Sequence, residues 1–263
     1  MSSIETTTGA GVGAVGEASR AVDGGSAKAL WWQLGGIAIA FLLLIGWLGL
    51  SDLSSTQKAT LDPGELWGYT LEHLKLTVVA AVIVLVIALP LGVLLTRGPL
   101  RKFSGPVMAV ANIGQAAPAI GLVVLLAFWL GFGFNAAVVS LVAYAILPVL
   151  RNTMVGLSQV DERLIEAGRG MGMSSSAVLF KVELPLAVPV MLAGIRTALV
   201  LLVGTATLAA FINGGGLGIL IVTGVNLNLS TVLVAGSLLV ALLALVIDWL
   251  GRLVEHVARP KGL

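Results

Sequence analysis

Long apolar runs separated by short polar or basic segments set the rhythm of this chain. Six runs are long enough to cross a bilayer, because a spanning helix needs about 20 mostly apolar residues to cover roughly 30 Å of hydrocarbon. They cover residues 31–50, 69–96, 106–130, 134–157, 186–212 and 229–253. Trp31, Trp32 and Trp47 fall near the ends of the first run, where amphipathic rings favour the membrane interface. The pattern predicts an all-α integral membrane protein with about six transmembrane helices. Residues 1–28 are rich in Gly, Ala, Ser and Thr without a hydrophobic period and read as a disordered N-terminal tail. Residues 29–65 hold the first helix and an external loop. Residues 66–253 form a core of five further helices with a polar loop at 158–185, and 254–263 form a C-terminal tail.

Composition sharpens this picture. Apolar residues make up 58% of the chain and charged residues 11%, against about 25% charged in a soluble domain. Of the 15 lysines and arginines, only Lys58 and Lys75 fall on one side of the membrane, and the acids Asp52, Asp62, Glu65 and Glu72 gather there too. Basic residues mark the cytoplasmic side. Both termini and the 158–185 loop are therefore expected in the cytoplasm, with the lipid bilayer, not nucleic acid, as the chain's surroundings.

Several chemistries lose support at once. There is no cysteine, and His73 and His256 lie near the expected membrane boundaries, so no histidine is placed inside a span and no metal site is expected. No paired acids stand ready for general acid–base work, which argues against an intramembrane hydrolase. Residues 11–16 match G-x-G-x-x-G by chance, since no strand precedes them and no helix with a downstream acid follows. The first apolar run is too long for a cleavable signal peptide. Glu183, Arg196 and Asp248 sit near span ends and the span interiors carry almost no charge. Transporters coupled to an ion gradient place such groups inside their spans, so a gradient-driven transporter or passive channel is the weaker alternative.

The loop at 158–185 carries the most information. Leu157, Val160, Leu164, Ala167 and Met171 step by three or four and share one helical face, expected to turn toward the bundle. Asp161 or Glu162 suits a helix start and Arg169 a helix end. Gly172 suits a left-handed closing residue, Ser174 or Ser175 a second cap, and Pro185 the opening of the fifth span. The expected form is a short helix, a sharp turn and a second short helix at the membrane surface.

Glu166-Ala167, then Gly172 six residues after the glutamate, then nine residues before Val182-x-Leu184-Pro185, resembles the EAA loop of ABC-importer permeases. Gly168 replaces the family's second alanine and Val182 its isoleucine. The resemblance implies a coupling helix that docks on a cytosolic ABC ATPase dimer, with Glu166 and Gly172 at its centre and Glu162, Ala167, Gly168 and Arg169 around them. It implies a second permease subunit, identical or homologous, and an extracytoplasmic solute-binding protein. ATP and Mg would sit in the partner ATPase, with no cofactor bound by this chain and no catalysis of its own. The chain has no G-x-x-x-x-G-K-[ST].

Residues 89–97, 149–153, 181–187, 193–198 and 204–212 look like permeases of the osmoprotectant branch, which import glycine betaine, choline, carnitine or proline betaine. The turn Gly214-Gly215-Gly216-Leu217-Gly218 is shared with related permeases, methionine importers included, which keeps another small solute as the alternative. Asn213 stands where that family has a small residue. The turn, Asn213, Gly214, Gly215, Gly216 and Gly218, reads equally as an outer gate or as a packing turn. Asn112, Gln115, Tyr144, Thr205 and Thr207 are the polar residues within spans and so the candidates for lining a path, with helix-to-helix hydrogen bonding as their structural alternative. Phe128, Trp129, Phe132 and Phe134 cluster near one end of the third run, as a routine aromatic belt would.

Overall fold

The structure, a computed structural model, describes residues 10–258, with side chains from Lys28 onward. Helix α1, Ala10–Leu50, starts inside the segment expected to be a disordered tail. The correction has a simple cause. No proline occurs before Pro63, so nothing interrupts a backbone whose hydrogen bonds are already satisfied along the apolar run. Residues 1–9 and 259–263 lie outside the described part, although the expected C-terminal tail begins as helix through Ala258.

A short helix α2, Ser55–Thr60, is closed at its start by a capping box between Ser54 and Gln57. Helix α3, Pro63–Leu95, begins earlier than the apolar run. Asp62 caps it by accepting from the Gly64 N–H at 2.8 Å, and Pro63 fits the first turn, where a missing N–H costs least. His73, in the first third of this 33-residue helix, is fully buried against its neighbours.

The third span departs most. The expected single helix over 106–130 is two helices, α4 at Ser104–Ala116 and α5 at Ala119–Leu130, bent by 101°. Pro118 explains the break. A residue before proline is driven out of the helical region, and Ala117 is extended at φ −62°, ψ 143°. Helix α6, Phe134–Ser158, follows. Among the described residues, five helices are long and apolar enough to cross a membrane, and six spans result if the bent pair counts as one.

Helix α7, Glu162–Gly170, and the short α8, Ser175–Val178, form the loop before α9, Leu184–Ala206. A 3₁₀ turn, Thr207–Ile212, then leads to α10, Gly218–Asn226, and α11, Ser230–Ala258. Helices α6 and α9 form the centre. Helix α6 packs on α3, α4, α5 and α9, α9 packs also on α3 and α11, and α1 lies outside against α11. Small residues make the central crossings close. A Cβ on Gly194 would fall 2.4 Å from Asn152 Cβ and 2.7 Å from the Pro148 carbonyl oxygen, and one on Gly92 would meet Thr153 at 2.7 Å. Membrane helices gain little from apolar burial against lipid, so such backbone proximity supplies the packing that holds them.

Candidate functional site

The loop between α6 and α9 defines one end of the bundle, here the loop end. Asp161 caps α7 by accepting from the Arg163 N–H at 2.9 Å, and Arg169 stands in the last turn against the helix dipole. Gly172 has φ +82° with open space around it, so backbone conformation alone asks for glycine there. Ser174 caps α8 through the Ala177 N–H at 3.3 Å. The second helix does not stand apart as expected. It passes through a widened π turn, Leu179–Glu183, into α9 as one helical stretch, Ser175–Ile212. The widening lies directly before Pro185, whose missing N–H cannot serve a regular α turn.

The face of α7 is reversed from expectation. Leu157 is buried, yet Leu164 is 47% exposed, Met171 is 72% exposed and Ala167 is exposed too. Gly168 is buried instead and Ile165 half-buried. A Cβ at Gly168 would touch Val178 at 3.4 Å, Met173 at 3.5 Å and Val182 at 3.8 Å, so α7 lies on the second half of its own loop. The apolar stripe points away from the bundle because that hairpin contact already uses the neighbouring face. Glu162, Glu166 and Arg169 are exposed beside the stripe.

Sequence reasoning missed the root of this loop. Glu183, almost fully buried, pairs with Arg97 just beyond the end of α3. An acid at the start of an apolar span requires a cation, which was the available signal. A second ionic group ties α9 to α11 and α1. Arg196 Nε lies 3.3 Å from Glu255 and 3.8 Å from Asp248, and Asp248 also accepts from Arg252 and from Gln33 on α1. Arg97 and Glu183 sit at the loop end, but Arg196 lies midway along α9 and Asp248 well inside α11, contrary to the expectation that both stand near span ends.

The opposite, turn end is closed by the glycine segment. Asn213 is left-handed at φ 59°, a conformation asparagine tolerates better than most side chains. Gly215 and Gly216 have φ near +86° and +87°. The Gly216 N–H donates to Glu72 at 2.9 Å, while His73 Nε2 lies 2.9 Å from the Val203 carbonyl. A Cβ on Gly218 would fall 2.0 Å from the Thr207 carbonyl oxygen, and one on Gly214 would meet Ala209 and Ala137 at about 3 Å. These contacts favour the packing role of the turn.

The path candidates divide. Thr205 and Thr207 donate to the carbonyls of Leu201 and Gly204 in their own helix, at 2.7 Å each, so their hydroxyls serve local backbone. Asn112 is exposed, and Gln115 and Tyr144 are half-buried. Gly114 brings α4 against α6, its Cβ position 3.2 Å from the Ala143 carbonyl, which places Gln115 and Tyr144 beside that crossing. Phe128 and Phe132 meet edge to face at 5.9 Å, while Phe134 takes Lys75 over its ring at 5.1 Å.

The family profile described as "Binding-protein-dependent transport system inner membrane component" matches residues 88–259. The chain belongs to that family. Among relatives of this inner-membrane component is the Glycine betaine/carnitine/choline transport system permease protein OpuCB of Bacillus subtilis, 42% identical over 200 residues, which cover 76% of this chain and 91% of that protein. The Osmoprotectant import permease protein OsmW of Salmonella typhimurium is 38% identical over 207 residues, 77% of this chain and 95% of that one. A solved inward-facing MetNI methionine ABC transporter superposes with a TM-score of 0.66 at 26% identity, covering 79% of this chain and 100% of that chain. The inner-membrane component is thus an ABC-importer permease in family and fold, a non-catalytic subunit. The gradient-driven and channel readings are set aside.

Proposed function

We propose that this chain is the permease subunit of an ATP-driven importer of quaternary-ammonium osmoprotectants: glycine betaine, choline, carnitine or proline betaine. The observation that carries the coupling part of this reading is the exposed apolar stripe of α7, Leu164, Ala167 and Met171, flanked by Glu162, Glu166 and Arg169. Exposed large apolar groups at the polar end of a membrane bundle, on a capped and rigid hairpin, suit burial by a protein partner. That partner is a cytosolic ATPase dimer that holds ATP and Mg. The loop end and both termini then face the cytoplasm. A second permease subunit, identical or homologous, completes the path, and an external binding protein delivers the solute. Closure of the ATPase dimer would rock the two permeases between inward and outward states. The names of the relatives support the substrate class.

The test copurifies the chain with the ATPase encoded beside it and measures ATP hydrolysis in liposomes, with the neighbouring binding protein, across betaines, choline, carnitine and methionine. Stimulation by a quaternary ammonium solute is expected. Stimulation by methionine alone would overturn the substrate class. Glu166→Lys reverses a charge beside the docking stripe and Met171→Glu puts one into it; each is expected to weaken ATPase association by about thirtyfold, with the permease still inserted. Unchanged association would sink the docking role.

A further inference from the structure

We propose that the chain holds a binding site for the phosphate headgroup of an anionic phospholipid, in a cavity of about 530 Å³ at the loop end. The cavity lies between the end of α3, the 3₁₀ segment that follows it, the end of α6 and helix α7. Three arginines line it: Arg97, Arg101 and Arg169. The acids on its wall are Glu162 and Glu183, and Glu183 is already engaged by Arg97. Two guanidinium groups thus face one uncommitted carboxylate. Arg97 is itself incompletely satisfied, since its Nε is buried without an acceptor. An arginine fork matches phosphate oxygens in shape and charge.

The surface beside the cavity favours a lipid over a free anion. Leu100 and Phe103, on the same 3₁₀ segment as Arg101, are both exposed. Exposed apolar side chains on either side of Arg101, at the foot of a spanning helix, offer a surface that acyl chains can cover. A ligand there can place phosphate in the cavity and its tails beside Leu100 and Phe103. Basic pockets between membrane helices on the cytoplasmic side take anionic headgroups in this way. A headgroup so placed would join Arg169 of α7 to Arg101 beyond α3 and brace the loop against the bundle. The assignment of leaflet rests on the cytoplasmic orientation proposed above, whereas binding itself does not require any ATPase.

The experiment titrates the detergent-purified full-length chain with short-chain phosphatidylglycerol, short-chain phosphatidylcholine and inorganic phosphate. Phosphatidylglycerol is expected to bind about tenfold more tightly than phosphatidylcholine. Arg101→Gln and Arg169→Gln should each weaken it about fivefold, the effect of one basic side chain near an anionic lipid. Arg101→Lys, which keeps the charge, should restore most of the affinity, so that a folding defect is told apart from a lost contact. Lys102→Gln, equally basic but outside the cavity wall, should leave it nearly unchanged. Equal binding of the two lipids, or an equal loss with Lys102→Gln, would overturn the site. Inorganic phosphate that binds as tightly as phosphatidylglycerol, with the same arginine dependence, would overturn the lipid assignment. Because the readout is lipid affinity, failure here leaves the transport reading standing, and loss of ATPase docking leaves this one standing.

Discussion

The chain on either side of α9 is tied to α3 or the residues just after it by a glutamate, and the two fastenings are built by different means. At the turn end, Glu72 reaches from α3 to the Gly216 N–H, and His73 beside it is buried against Val203. At the loop end, Glu183 reaches back to Arg97. The first closes on backbone, with glycines pressed so near their neighbours that no side chain fits. The second closes on an ion pair, borders a cavity, and supports a hairpin whose apolar stripe is uncovered. One end closes on itself, and the other leaves an apolar stripe exposed. The turn fills its own space, whereas the capped hairpin leaves Met171 exposed, as the proposed docking requires.

Substitutions at the two ends should separate these roles. Arg97→Leu has the largest expected effect. It leaves the Glu183 carboxylate buried without a counter-charge, at a cost of about 3 kcal/mol, read as a lower melting temperature of the purified protein. A melting temperature unchanged from the parent would mean the pair does not hold the loop end. Gly218→Ala comes next, since its Cβ would press into the Thr207 carbonyl; about 2 kcal/mol is expected, with ATPase association kept. Weakened ATPase association without any thermal change would contradict the packing role of the turn. Glu72→Ala removes the acceptor of one backbone N–H and should cost about 1 kcal/mol in the same melting assay. Gly168→Ala is the smallest and has the opposite sign. Its Cβ meets only ordinary contacts, so helix propensity should stabilise α7 by up to about 1 kcal/mol. A destabilised Gly168→Ala protein would show that the hairpin is tighter than these distances indicate.

The spans and the caps were legible because their causes are local. Asp161, Arg169, Gly172 and Ser174 act on backbone groups within a few residues, and each stands where its chemistry suggests. The break at Pro118 was missed although the proline signalled it, because hydropathy records composition and not direction. The face of α7 was not legible. Its stripe at three-and-four spacing is apolar in either orientation, and periodicity gives the stripe without saying which surface covers it. The ion pair and the glycine clasp were out of reach for another reason: their partners lie 86 and 144 residues apart.

The sequence by itself determined a membrane-spanning helical bundle, the apolar runs that form it, and a capped hairpin between the fourth and fifth. Each of these follows from free-energy terms summed over neighbouring residues: transfer of an apolar run into hydrocarbon, and satisfaction of helix-end hydrogen bonds. Only the tertiary structure decided which face of α7 is left open, that Glu72 and Glu183 tie the chain on either side of α9 to α3 and the segment after it, and that arginines from two separate segments share one cavity. Those outcomes depend on which helices become neighbours. In a bilayer that choice rests on close backbone approach at residues such as Gly92 and Gly194, where the surrounding helices, and not the local sequence, set the distance.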